Sequence, residues 1–258
     1  MARSSDGFIS RSFRFIKRLL IVLFLAQLVY ILALKWVNPP FTLTQLNSLF
    51  SGNGLSRDYV DSDEMSTHVK LAVIASEDQK FPDHNGFDWK SIEKAIDHNE
   101  KKPNRVRGAS TISQQVAKNV FLWQGRSYIR KGLEVYFTFM IELIWGKRRI
   151  LEMYLNVAEM GTGVFGVQAA AKHNFGKDAK NLSRKESAMI AASLPNPKKY
   201  TIKPVSKMVN VRYPWVLRQM NNLYADSSVQ AIIMKPKPES NTSKEESSDK
   251  KSSEKKKK

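Results

Sequence analysis

The sequence contains no cysteine, so a disulfide framework, a thiolate metal site and a cysteine nucleophile are all excluded, and the chain can fold in an oxidising or a reducing compartment. Histidine is nearly as scarce. His68, His84, His98 and His173 are the four present, and no two of them stand at the i, i+4 spacing that a helical zinc site uses. No stretch shows the clear apolar–polar alternation of a half-buried strand, so the expected fold class is mostly α. Acids are outnumbered: 24 Asp and Glu face 42 Lys and Arg, a formal charge of +18 that implies an anionic partner such as nucleic acid, phospholipid or a phosphorylated substrate.

What the chain does hold is apolar surface. Its 258 residues, 42% hydrophobic and 10% aromatic, suffice for one packed domain with appendages. Residues 19–34 form an uncharged run between Lys17-Arg18 and Lys35-Trp36. With Ile16, Trp36 and Val37, and with Arg18 and Lys35 snorkelling, it approaches the ~20 residues a bilayer core requires, so one transmembrane helix is expected over 19–37. A cleaved signal peptide and a buried core helix are the rivals, but no clear small-x-small cleavage site follows the run. Arg3, Arg11, Arg14, Lys17 and Arg18 precede it, whereas Lys35 is the one basic residue between it and Arg57. Residues 1–18 therefore read as a basic cytoplasmic arm, and the bulk of the chain as extracytoplasmic.

Asn38-Pro39-Pro40 breaks that helix, and the polar stretch after it, with Gly52 and Gly54, makes 38–64 a linker. A folded domain is expected over 65–224. Residues 235–258 carry nine lysines and five acids with no large apolar side chain, a composition that predicts a disordered charged tail. Helical periodicity covers 69–79, 89–99, 111–121, 128–145, 147–159, 164–175 and 184–193. The segment 133–145, apolar on nearly all sides except at Glu134 and Glu142, is expected to be the central buried helix. Gly161-Thr162-Gly163-Val164-Phe165-Gly166 has the letters of a dinucleotide fingerprint, but it follows a helical run rather than a strand, so it reads as a helix C-cap and a tight turn.

Three groupings carry chemistry. Glu77 opens the polar run Glu77-Asp78-Gln79-Lys80-Phe81-Pro82-Asp83-His84-Asn85-Gly86-Phe87-Asp88 directly after an apolar stretch, and His84 could fix that loop by hydrogen bonding. In Gly108-Ala109-Ser110-Thr111-Ile112-Ser113-Gln114-Gln115-Val116-Ala117-Lys118-Asn119, Thr111 and Gln114 have capping-box spacing. The helix they start presents free amides to an anion. Its Thr111, Gln115 and Lys118 share a face that suits a phosphate-bearing sugar, though an ordinary capped surface helix has the same pattern. Glu134 shares a helical face with Arg130 and Lys131, and Arg126 lies nearby, so two cations can pair one carboxylate. A solvated salt-bridge face is the plain alternative. Against it, the next eleven residues are almost wholly apolar, and a charged patch at the mouth of such a helix suits a site. Phe121-Leu122-Trp123, beside this basic stretch, suits either a surface dipping into lipid headgroups or core packing.

Taken together, these residues resemble the peptidoglycan glycosyltransferases of glycosyltransferase family 51, specifically the monofunctional biosynthetic transglycosylases. The likeness spans roughly 71–223. It rests on Glu77-Asp78-x-x-Phe81-x-x-His84-x-Gly86-Phe87-Asp88, on the Gly108 to Asn119 segment, on Arg130-Lys131-x-x-Glu134 and on Arg149-Ile150-Leu151-Glu152-x-Tyr154-Leu155-Asn156. Ala109 and Ser113 depart mildly from the family pattern without disturbing a charged group.

The resemblance implies a lysozyme-like, mostly helical domain that polymerises lipid II into a β-1,4 glycan, inverting the anomeric centre and releasing a lipid diphosphate. It implies Glu77 as general base and Lys118, Arg130 and Lys131 as stabilisers of the leaving group, with Glu134 ordering those cations or holding a divalent cation, Mg or Mn. Ser110, Thr111, Gln115 and Asn119 would line the donor side, and Asp78, Phe81, His84, Gln114 and Arg126 would belong to the substrate site. The expected partners are lipid II, the lipid-linked glycan, the membrane, and other cell-wall synthesis and division proteins. Neither a nucleotide cofactor nor a nucleic acid is expected. The setting implied is the bacterial inner membrane, single-pass, with a periplasmic catalytic domain, and with crosslinking left to another protein. The rivals are a lysozyme-like hydrolase or lytic transglycosylase, which the cations around Glu134 disfavour because glycan cleavage releases no diphosphate, and a non-catalytic membrane-anchored scaffold, which the intact motifs disfavour.

Overall fold

A computed structural model describes residues 5–104, 106, 108–125 and 127–234. The expected tail, Arg3 of the arm, and Arg126 lie outside these. Helix α1 (Ser5–Ala33) is one unbroken helix, and its segment Arg11–Ala33 is long and apolar enough to cross a membrane. Most of its side chains are exposed, but Ile31 and, just past its end, Leu34 are buried. The chain then makes α2 (Leu43–Phe50), β1 (Ser56–Arg57), a 3-10 turn, α3 (Thr67–Glu77), α4 (Trp89–Lys101), α5 (Ile112–Phe121), α6 (Tyr128–Ile144) and α7 (Lys147–Val157). There follow β2 (Glu159–Gly161), β3 (Val164–Phe165), α8 (Val167–Phe175), a second 3-10 turn, α9 (Arg184–Ser193), α10 (Lys207–Tyr224) and α11 (Ser227–Ile233).

Local chemistry sets where the helices begin. Thr111 and Gln114 form the capping box that their spacing predicts, Ser183 and Glu186 form another, and Ser66, Asp88, Ser127 and Ser206 cap α3, α4, α6 and α10. Seven consecutive residues of α3, 69–75, and seven of α9, 187–193, are buried. These two helices pack on each other and on α10, while α5 packs on α6 and α7.

Several expectations are corrected. The segment 38–64 is not a bare linker: α2 packs on α5 with Thr44, Gln45 and Ser48 buried, because a Thr42–Gln45 capping box satisfies its first turn. The packed region also runs past 224, since Val229, Ile232 and Ile233 of α11 are buried. Helix α6 is not the central helix. Only Glu134, Thr138 and Ile141 of it are buried, while Ile129, Val135, Phe139 and Leu143 face outward, so its apolarity does not mark burial in the domain.

Within the Phe121-Leu122-Trp123 triplet only Trp123 is exposed, since Leu122 is buried and the Phe121 ring stacks on Phe137 at 4.5 Å and meets Tyr30 edge-on. The 161–166 glycines do not cap the end of α7, whose C-cap is Ala158: Gly161 and Gly163 belong to a hairpin, and Gly166 is the N-cap of α8. β3 pairs antiparallel with β2 and parallel with β1, with Ser56 opposite Val164. Strands this short leave too few residues for alternation to register.

Gly163 (φ +68°) and Gly176 (φ +67°) both sit in left-handed backbone, but a Cβ on Gly163 would lie 2.1 Å from Asn53 O, whereas nothing lies within 4 Å of one on Gly176. Gly176→Ala is expected to cost about 1–2 kcal/mol. Gly163→Ala is expected to cost more, because the 52–54 turn must also move. Thermal unfolding of the two variants checks this, and equal losses would contradict the packing.

Candidate active site

Helix α3 delivers Glu77 as its last residue, half-buried at the wall of a cleft. Its Oε2 accepts from the Gln115 amide of α5 at 3.1 Å, and its Oε1 from the Ser76 hydroxyl at 3.4 Å. Gln115 is in turn reached by the Tyr154 hydroxyl of α7 at 3.4 Å, and Ser76 by the Arg212 guanidinium of α10 at 3.2 Å. Four helices thus converge on one carboxylate. Burial pushes the Glu77 carboxyl up; the Gln115 amide, the Arg212 charge and the Ser76 hydroxyl hold it down, and the Asp78 charge pushes it up again. The balance is upward, and a half-buried carboxyl whose affinity for a proton is raised by burial suits a general base.

Space opens on both sides of the Glu77–Gln115 pair. Gln115, Lys118, Asn119 and Tyr154 line a cavity of about 460 Å³ with α2 and the 194–198 loop. Glu77, Ser110, Thr111 and Trp215 line a second of about 300 Å³. The expected donor-side residues are therefore divided: Gln115 and Asn119 face the first cavity, Ser110 and Thr111 the second.

Beyond Lys118 stands the cationic group. Glu134 is 3% exposed; its Oε2 accepts from Arg130 Nη1 at 2.7 Å and its Oε1 from the Lys131 ammonium. Burial pushes the Lys118 ammonium down, Glu134 draws it back up, and Arg130 and Lys131 push it down, so the three cations and one anion sense one another. The Arg130 Nε is buried without a partner, and a group of cations with one guanidinium donor unused suits an anion with several oxygens.

Other expected substrate residues also brace the site, Asp78 while lining the second cavity. Asp78 is 7% exposed and accepts from Ile112 N at 3.0 Å and from His84 Nε2 at 3.0 Å. Gly86 N donates to His84 Nδ1 at 3.2 Å, which leaves Nε2 as the donor to Asp78, so both ring nitrogens have partners. Phe81 is fully buried, and Gln114 closes the Thr111 cap. Sequence reasoning did not give roles to Glu142 and Lys147 behind this loop. Glu142 accepts from Ser113 Oγ at 2.5 Å and from Lys147 at 2.7 Å, and Lys147 also donates to His84 O.

Arg212 and Trp215 were missed as well. They lie on α10, whose helical pattern went unread with Pro214 inside it. Tyr154 stood in a quoted motif, yet no local signal pointed it toward Gln115.

Comparison with known proteins agrees with this geometry. A transglycosylase family model matches residues 44–221. A biosynthetic peptidoglycan transglycosylase of Escherichia coli (strain Crooks) is 48% identical over 234 residues, covering 84% of this chain and 95% of the relative. One from Yersinia pseudotuberculosis serotype O:3 is 57% identical over 173 residues, covering 67% and 72%. One from Shigella boydii serotype 4 is 48% identical over 234 residues, covering 84% and 95%.

Arg212→Met removes the one guanidinium that holds the Glu77 carboxyl down, so that group is expected to keep its proton to higher pH than in the wild type. Carboxyl-carbon NMR titration of Glu77 reads this directly. An unchanged or lowered titration midpoint, in a variant with unaltered thermal unfolding, would contradict the role given to Arg212.

Proposed function

The chain belongs to the transglycosylase family, and from that membership we propose how its cleft performs the reaction. The protein is a peptidoglycan glycosyltransferase. In our reading the acceptor is lipid II and the donor a lipid-linked glycan, whose diphosphate rests on Lys118, Arg130 and Lys131. The Glu77 carboxylate takes the proton of the acceptor 4-hydroxyl as that oxygen bonds to the donor anomeric carbon. The bond from that carbon to the diphosphate oxygen breaks and leaves its electron pair on the diphosphate. One bond forms as one breaks at the opposite face, so the α-linked donor becomes a β-1,4 product.

The observation that carries this reading is the pairing of one carboxyl held by a neutral amide with a separate cationic group that holds an unused, buried guanidinium donor. Charge developing on a diphosphate is best met by donors already in place. Glu134 supplies that order, holding Arg130 by a charge-assisted bond in a buried setting where the pair is little screened. A hydrolase has no use for such a group.

The divalent cation that the resemblance implies does not fit as a resident of this protein. Both Glu134 oxygens are taken by cations, and among the described residues no three carboxylates or imidazoles gather to hold a metal. No step is derived through it here.

The apolar helix is compatible with a single-pass anchor. We place it in the bacterial inner membrane with the cleft on the periplasmic side, on the strength of the basic residues Arg11, Arg14, Lys17 and Arg18 before it. The exposed apolar residues of α6, rather than Phe121 and Leu122, then meet the headgroup layer. Contacts with other cell-wall synthesis proteins belong to the same proposal.

Two substitutions test the division of labour. With purified lipid II, Glu77→Gln is expected to lower glycan synthesis by about 10²–10⁴-fold, the range for loss of a positioned base. Glu134→Gln is expected to cost about 10²–10³-fold, as for loss of one fixed electrostatic stabiliser, and to leave a measurable trace. Gel separation of the glycan strands checks both; full activity of Glu77→Gln would refute the assignment.

A further inference from the structure

Arg149, on the first turns of α7, is 11% exposed at its side chain and points away from the cleft. Its Nε and Nη2 donate to Leu34 O at 3.0 and 2.9 Å, Nη2 also donates to Val37 O at 2.8 Å, and Nη1 pairs with Glu152. Those carbonyls lie just past the end of the membrane helix, where no further turn supplies partners. A cation at the C-terminal end of a long helix also meets the negative end of its dipole.

The contact is the last of a series along one face of α1. Gln27 accepts from the Tyr136 hydroxyl at 3.0 Å, the Tyr30 ring meets Phe121, and Ile31 O accepts from the buried Trp145 indole at 2.8 Å. Positions 27, 30, 31 and 34 recur at helical spacing, so one stripe of α1 is sealed onto α6 and α7. On the far side, α7 carries Tyr154, which reaches Gln115 and through it Glu77.

We propose that Arg149 is a positioning residue: by capping the outer end of the membrane helix it locks that helix to α7, and so holds the catalytic cleft at a set height and tilt above the bilayer. The inference rests on the membrane reading of α1 and on substrates whose diphosphates lie in the headgroup plane. With the joint locked, Lys118, Arg130 and Lys131 stay at that plane; with it slack, the domain would swing on residues 34–42. The planar guanidinium is required because one ammonium cannot bridge two carbonyls and a carboxylate with the same fixed geometry.

The absence of native cysteine makes the test clean. Full-length protein carrying a fluorophore on Lys180→Cys is placed in phosphatidylglycerol–phosphatidylethanolamine vesicles with acceptor dyes in the headgroups, and single-molecule energy transfer reports the distance distribution from the domain to the membrane. The wild type is expected to give one narrow distribution, and Arg149→Ala a broad one at an unchanged unfolding temperature. Arg149→Lys and Trp145→Phe are expected to fall between, and they carry the test if Arg149→Ala does not fold. Turnover of lipid II in the same vesicles is expected to drop about tenfold or more in Arg149→Ala, as effective concentration at the surface is lost, while the Glu77 titration stays put. Distributions as narrow as the wild type in all three variants overturn the proposal. That readout needs no chemistry, so it stands apart from any failure of the reaction scheme.

Discussion

The Asp78 carboxylate is the joint on which the site depends. It follows the last residue of α3, accepts the backbone N–H of Ile112 at the start of α5, and accepts the Nε2 proton of His84 from the loop between. A buried charge of this kind is tolerable only when its oxygens are filled by donors, and here a helix N-terminus supplies one of them. Because Glu77 is its neighbour in the chain and Gln115 lies one turn into α5, the same joint sets the distance between the base and the amide that holds it. Lys147 and Glu142 then brace the loop from behind, with Lys147 4.6 Å from the centre of the Phe81 ring.

The two glutamates of the cleft differ because their surroundings differ. Glu77 is held by neutral donors, an amide and a hydroxyl, with Arg212 one residue removed, so its oxygens remain basic. Glu134 is gripped by two cations at hydrogen-bonding distance. It cannot bind a metal without giving those up. In the proposed mechanism, two carboxylates of equal intrinsic chemistry are thereby suited to different tasks, proton transfer and electrostatic order.

Much of this was legible along the chain. Helices with a capping residue at one end and a glycine or proline at the other were found nearly to the residue, as α4 and α5 show, and the charged motifs were legible because i, i+3 and i+4 spacing alone brings Arg130 and Lys131 to Glu134. The misses have physical reasons. Helix α10 contains Pro214, normally a breaker, so the helix bearing Arg212 and Trp215 was unread. Segment 38–64 is polar and short of aliphatic runs, yet α2 closes the first cavity with Thr44, Asn47 and Ser48. Helix α6 is apolar on its exposed face too, so hydrophobicity pointed to the centre of the domain when α6 lies at its edge, beside α1.

By itself the sequence determined the helical class, the long apolar segment near the N-terminus and the cap positions, and it singled out both carboxylates, since each depends on residues within a few positions of one another. Only the tertiary structure decided which polar residues touch the cleft and which hold it from behind, because His84 and Gln114 look as suited to substrate as Gln115 does until burial is known. It also decided how the membrane helix is joined to the domain: Arg149 meets Leu34 and Val37 across more than a hundred residues of chain, a separation over which no local pattern carries information.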